Sequence, residues 1–285
     1  IDNVTGFAEV SRFKMQTADT LYSIRQLRCT AQHSPQADHI AINGDFIDAS
    51  LKGKYKLTTI PGQLWTLVKE KIFEHQTDAD HQPTSSGTQN TFALDVTMTD
   101  ALWAKHLLQQ PIALQQPARL HCDVNDALGL ISLNADLPAF QWNGKDYRET
   151  SVVLFNRQDK LFYDANVKRM EDNDVSTHFN SNGALADGIL TNSFTWNISD
   201  SYNNRGVINF TLQGLNNVLS SNEESWGALI HISPSTIHIN NAPWQVNSSS
   251  IYYTKNHLSF RNFSVHNQDQ FVHIEGTATE HPTDT

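Results

Sequence analysis

The chain is written mostly in a period of two. In Leu161-Phe162-Tyr163-Asp164-Ala165-Asn166-Val167-Lys168, one phase is apolar and the other carries polar groups. The same pattern recurs at Ile131-Leu133-Ala135-Leu137, Leu190 to Ile198, Ile208-Phe210-Leu212, Leu258-Phe260 and Val272-Ile274. Polar turn clusters such as Asn143-Gly144, Asn240-Asn241, Lys255-Asn256 and Asn267-Gln268-Asp269 separate these runs. A side-chain period of two broken by turn chemistry predicts an antiparallel meander with one wet and one dry face. Upstream, strands are expected over Phe7–Phe13, Leu21–Ala31, Ile40–Ile42 and Ala49–Leu57, with Gly53 mid-strand. Asn43-Gly44 reads either as a hairpin turn or as a bulge in one longer strand.

Two segments change period. Ile60, Leu64, Leu67, Val68 and Ile72 follow a helical stripe, so a helix is expected from Ile60 to Phe73, with Thr59 as cap and Pro61 in the first turn. A second short helix is expected from Thr99 or Asp100 through Leu108. This divides the chain into a β-segment over 1–76 ending in a helix, a polar linker over 77–90, and a β-meander over 91–285. About fourteen to eighteen strands and two modest helices cannot form helix-on-sheet layers throughout. The expected fold is all-β, a long twisted antiparallel sheet curled into a groove with two short helices; the alternative is a β-sandwich.

Composition narrows the function. The hydrophobic fraction is 39%, low for a globular domain and suited to a one-faced sheet. No run of 18 apolar residues exists to span a membrane as a helix. A formal net charge of −10 argues against nucleic acid, whose binding rests on Lys and Arg neutralising phosphate. Cys29 and Cys122 both fall in apolar phases, readable as small buried hydrophobes or as one long-range disulfide. The 13 histidines form no His-Glu-x-x-His; His231 and His238 fall on neighbouring predicted strands and could approach each other on a wet face, with two solvated strand histidines as the simpler reading. Nucleophile-elbow and phosphate-loop motifs are missing. Asp136, Asp164 and Glu149 are the candidates for a hydrolytic carboxylate pair; solvated single residues are the simpler reading. No cofactor or metal is implied, and the chain is read as non-enzymatic.

One resemblance bears on all of this. The run SPSTIHINNAPWQVNSSSIYYTKNHLSFRNFSVHNQDQFVHIEGTATEHPTD from Ser233 resembles the C-terminal part of TamB-like translocation and assembly module proteins, particularly the long versions in Bacteroidetes. The segments IAINGDFIDASLKGKYKLTTIPGQL and LISLNADLPAFQWNGKDYRETSVVLFNRQDKLFYDANV look like preceding parts of that family. The family belongs with the AsmA-like, bridge-like lipid-transfer proteins. The resemblance implies a β-groove with an apolar lining, phospholipid transport across the periplasm, an inner-membrane anchor on the full-length protein, and an Omp85-type partner in outer-membrane protein assembly. Anchor and partner contacts would lie outside this chain, which is expected to be an internal fragment. The ligand implied is the phospholipid acyl chain. The expected lining is Ile131, Leu133, Leu137, Leu161, Tyr163, Val167, Phe194, Trp196, Ile198, Ile208, Phe210, Leu212, Val272 and Ile274. Exposing a lipid costs about 0.8 kcal/mol per CH₂, so two chains of roughly fifteen methylenes cost on the order of 24 kcal/mol. A continuous apolar face removes most of that barrier with no catalyst. The alternative function is a secreted β-sandwich module that binds carbohydrate or protein.

Overall fold

The structure, a computed structural model, describes residues 4–17, 20–60, 90–99, 101–108, 110–157, 159–171, 175–199, 202–217 and 225–279. Among the described residues, all nineteen strands belong to one antiparallel sheet. The two facing sheets of a sandwich are therefore not the topology found. The described residues fall into two compact units.

Unit 1 holds β1 (Gly6–Gln16), β2 (Leu21–Gln32), β3 (Asp38–Gly44), β4 (Ile47–Lys54), β5 (Thr91–Met98), β6 (Ile112–Leu114), β7 (Ala118–Asn125), β8 (Leu130–Trp142) and β9 (Lys145–Arg157). It also takes residues 164–170 of β10 (Lys160–Met170). The ladder runs β1–β2–β3–β4–β5–β7–β8–β9, with the short β6 beside β8. Asn43-Gly44 resolves as a hairpin: Asn43 faces Asp48, and Asp45-Phe46 is the tip. The tip does further work. The Asp45 carboxylate accepts the backbone N–H groups of Arg25 (2.9 Å) and Gln26 (3.1 Å). Those donors hold its carboxyl below the usual range. They are needed where the β1–β2 ladder skips Arg12 and Arg25, with Arg12 at φ 54°. There the inward phase passes from Leu27 and Cys29 to Ile24 and Tyr22.

The start of β2 outruns the β3–β4 hairpin. The helix α1 (Ala101–Leu108) covers it. Trp103 stacks on Phe46 at 4.8 Å, meets Tyr22 edge-on at 5.2 Å, and donates its indole N–H to the Ser23 carbonyl at 3.1 Å. Tyr22, Ile24, Phe46 and Trp103 form a small buried cluster. The helix expected over Ile60 to Phe73 and the linker over 77–90 lie, except for Ile60 and Asn90, outside the described residues.

Unit 2 holds residues 160–163 of β10, β11 (Ser176–Ala186), β12 (Ile189–Ile198), β13 (Arg205–Asn217), β14 (Ser225–Ile232), β15 (Ser235–Ile239), β16 (Ala242–Val246), β17 (Ser249–Thr254), β18 (His257–Asn267) and β19 (Gln270–Thr279). β14 and β15 are two halves of one broken strand, and β16 and β17 are two halves of the next. Their registers are continuous, with Ile232 opposite Ser249 and Ser235 opposite Val246. The break falls at Ser233-Pro234, where proline has no N–H to give a ladder. Around the gap, the N–H groups of Ser233 and Asn247 bond Asn209 and Ser264 carbonyls at 2.8 and 2.9 Å. The result is a plain meander. It corrects the placement of His231 and His238 on neighbouring strands: both lie on the same broken strand, about 23 Å apart at a strand rise of 3.3 Å. They do not meet.

Candidate functional site: the apolar face of the sheet

Residues directly opposite on antiparallel strands share a face. In unit 1 the pairings therefore trace apolar rungs across the strands. One runs Cys29–Ile42–Ala49–Val96–Leu120–Ala135–Val152, and the next Ala31–Ile40–Leu51–Leu94–Cys122–Leu133–Leu154. A third runs Gly53–Phe92–Val124–Ile131. Gly53 has φ +144°, and a Cβ there would sit 2.0 Å from the Thr91 carbonyl oxygen. Only glycine allows β4 and β5 to close this tightly. Of these rung residues, Cys122, Val124 and Phe92 are buried, while the others are half-buried. The face is apolar but not sealed.

At one end of the strands, Tyr55 meets Phe92 edge-on at 6.3 Å. Beneath them Asn90 is 1% exposed. Its Oδ1 accepts the Lys56 N–H (2.8 Å), and its Nδ2 donates to Thr59 Oγ1 (3.2 Å). Its backbone exchanges bonds with Asp126, N–H to Oδ2 at 3.1 Å and C=O from N–H at 2.9 Å. In the sequence Asn90 reads as the last residue of a polar linker. Nothing in a Gln-Asn step announces that the asparagine is buried.

In unit 2 the face is different. Leu190–Leu212–Ile230–Ile251–Phe260 is an aliphatic rung, and Phe194 sits opposite Ile208. Aromatic rings occupy much of the rest. Phe179, Phe194 and Trp196 stack in succession at 6.1 Å. The Trp196 ring lies over Gly206, where a Cβ would come within 2.3 Å of it. Asn192 is 4% exposed and accepts hydrogen bonds from Tyr163 Oη and from Ser181 Oγ, the latter at 3.0 Å. The buried hydroxyls of Ser235 and Ser249 flank the strand break without a partner.

The expected lining divides accordingly. Ile131, Leu133 and Leu137 lie on the unit 1 face. Phe194, Trp196, Ile198, Ile208, Phe210 and Leu212 share the unit 2 face, which Tyr163 joins through Asn192. Leu161 is buried and Val167 half-buried on β10. Val272 and Ile274 keep the inward phase opposite Val265 and Phe263, but they are 52% and 40% exposed on β19.

The polar face of unit 1 holds one charged arrangement. His121 lies between two carboxylates, Nδ1 to Asp95 at 2.7 Å and Nε2 to Asp123 at 2.9 Å. The Asp95 bond first, and the Asp123 bond next, push the His121 pKa up. Beside it a concavity of about 520 Å³ is lined by Lys52, Ala93, Asp123, Ser132 and Phe155, members of one polar-phase rung, with Leu130 at its end. The carboxylate candidates for hydrolysis stand apart: Asp136 faces Arg119 (3.8 Å), Glu149 faces Lys168 (2.9 Å), and Asp164 accepts from Asn166 (2.7 Å). Among the described residues, no group of three or more His, Cys, Asp or Glu could hold a metal ion. No helix among them is long and apolar enough to cross a membrane. Cys29 and Cys122 are both free thiols. The ladder puts β3, β4 and β5 between them, about 19 Å at a strand spacing of 4.8 Å, against the 7 Å limit for a disulfide. No known protein family, curated protein or solved structure matches the chain.

Proposed function

We propose that this chain is a non-enzymatic segment of a TamB-like protein, whose apolar sheet face carries phospholipid acyl chains through the periplasm. On this reading the full-length protein is anchored in the inner membrane, and contacts with an Omp85-type partner lie outside the chain. The observation that supports it is the half-buried state of the unit 1 rungs. A packed core drives Leu, Val and Ile to near-complete burial. Here Ile40, Leu51, Leu94, Leu133 and Leu154 stop short of that, along a row that crosses strand after strand. Acyl chains need such a row and little else, because apolar transfer is non-directional.

Native mass spectrometry of the chain purified from a bacterial membrane extract tests this. Co-purified phospholipid is expected, and the double substitution Leu94→Asp with Leu133→Asp should remove it while the strand signature in circular dichroism persists. Lipid-free wild-type protein, or lipid retained by the folded double variant, would overturn the proposal.

A further inference from the structure

We propose that the polar face of unit 1 carries a binding site for a neutral oligosaccharide, in the concavity beside His121. The inference is independent of the lipid reading, because this face is the opposite one from the apolar rungs. The hollow measures about 520 Å³, within the roughly 300–1,000 Å³ of small-molecule sites. Its shape follows from the rung Lys52–Ala93–Asp123–Ser132–Phe155. The two smallest members, Ala93 and Ser132, lie inside the rung, and the long Lys52 and the bulky Phe155 stand at its ends. The next rung, Thr91–Asn125–Leu130, closes the other long side. From β4 to β9 the first rung spans about 19 Å at a strand spacing of 4.8 Å. The hollow is therefore a trough running across the strands. Phe155 and Leu130 are each 41% exposed at its far end.

The polar groups in the trough are of mixed kind. Asp123 meets His121 through Oδ2 at 2.9 Å, and among the described residues nothing bonds its Oδ1. Lys52, two strands away, has no ion-pair partner among the described residues. Asn125 accepts the Leu128 N–H on its Oδ1 at 3.3 Å, which leaves its Nδ2 to donate elsewhere. Ser132 adds a hydroxyl that both donates and accepts. A sugar presents the complementary mixture, with hydroxyls around the ring and C–H groups on its two faces. Those C–H groups carry partial positive charge and suit the negative face of an aromatic ring such as Phe155. Charge selects against ionic ligands. One ammonium and one carboxylate line the trough, so an anion would meet Asp123 and a cation would meet Lys52. The length across the strands suits a short chain of sugar rings rather than one.

Isothermal titration calorimetry of the folded chain with maltohexaose, cellohexaose and chitotetraose tests this. At least one should bind with a millimolar or tighter Kd. Raising salt from about 50 to about 500 mM should leave that Kd within about twofold, because the ligand has no charge to screen. Phe155→Ala should weaken binding about tenfold by removing the aromatic wall. Asp123→Asn keeps the shape but loses the charged acceptor, and should weaken it by about tenfold or more. Thr97→Ala, on the same face of β5 but two rungs away, should bind like the wild type. Circular dichroism checks that each variant is folded. Failure of all three sugars to bind overturns the proposal, and so does an affinity that collapses with salt. Folded Phe155→Ala and Asp123→Asn chains that bind as well as Thr97→Ala would also overturn it, as would heat from glycine or free lysine in place of the sugars.

Discussion

Replacing Asn90 by alanine tests how the end of the unit 1 face is held. Its Oδ1 is the acceptor for the Lys56 N–H at 2.8 Å, and its Nδ2 donates to Thr59 Oγ1 at 3.2 Å. The backbone bonds with Asp126 survive the substitution. Leaving a partly buried N–H unpaired costs about 1–3 kcal/mol, and losing a neutral side-chain bond about 0.5–1.5 kcal/mol. The bonds reach partly exposed partners, so the lower half of the sum applies, about 1.5–3 kcal/mol. At 1.4 kcal/mol per decade this is about 10- to 150-fold in the local opening equilibrium. Hydrogen exchange of the Lys56 amide reads it directly and should accelerate by that factor. Asn90→Leu fills more of the volume but restores neither bond, so it should behave like Asn90→Ala if the cause is polar. A Lys56 amide that exchanges within threefold of wild type in Asn90→Ala would refute the reasoning. Full protection in Asn90→Leu would show that the site needs volume and not an acceptor.

His121 should titrate above 6.5 in an NMR pH series, because both ring nitrogens face carboxylates. A raised folded-state pKa means that its contribution to stability is fully present below about 6.5 and is lost as pH rises through the folded value; Asp95→Asn should move the titration back toward 6.5. Gly206→Ala places a Cβ 2.3 Å from the Trp196 ring and 2.8 Å from Ile237 Cγ2, so it should destabilise by about 1–3 kcal/mol and alter the near-ultraviolet tryptophan signal; an unchanged spectrum and melting curve would count against the packing described. Burial pushes the Cys122 thiol up and leaves it 4% exposed, so iodoacetamide should label Cys29 well before Cys122 in the native chain.

The period of two carries the all-β class and nearly every strand, because alternation records which face is dry and needs no partner to be read. What it does not record is which strand lies next to which. His231 and His238 look adjacent in the sequence because a proline break reads as a turn; Pro234 ends a ladder without reversing the chain. Asn192 and Asn90 are invisible there for a related reason. A buried amide is made safe by partners far along the chain, Tyr163 and Ser181 for one, Lys56 and Thr59 for the other. The Asp95–His121–Asp123 arrangement escapes a sequence reading because it needs the β5–β7 register, which sets His121 opposite Asp95. Helix α1 and β6 lie between those strands in sequence, so adjacency along the chain points elsewhere.

The two units do not suit acyl chains equally. On the unit 2 face, stacked rings over Gly206 and the Tyr163–Asn192–Ser181 bonds already fill space with the protein's own side chains. Rings of this size bury large areas against each other, and a lipid would have to displace them. The unit 1 rungs are built from Ala, Val, Leu, Ile and Cys, with no ring between Cys29 and Val152 along their row. Beyond these rows, Tyr22, Phe46 and Trp103 cluster at one end of the strands, and Tyr55 and Phe92 meet at the other. A chain of methylenes lying across the strands would therefore run parallel to the rungs, between two aromatic margins, and would meet no bulky side chain in its path. Lipid contact should accordingly concentrate in unit 1. A photoactivatable acyl probe that labels Leu94 or Leu133 variants no more than Phe194 or Phe210 variants would contradict that division of labour.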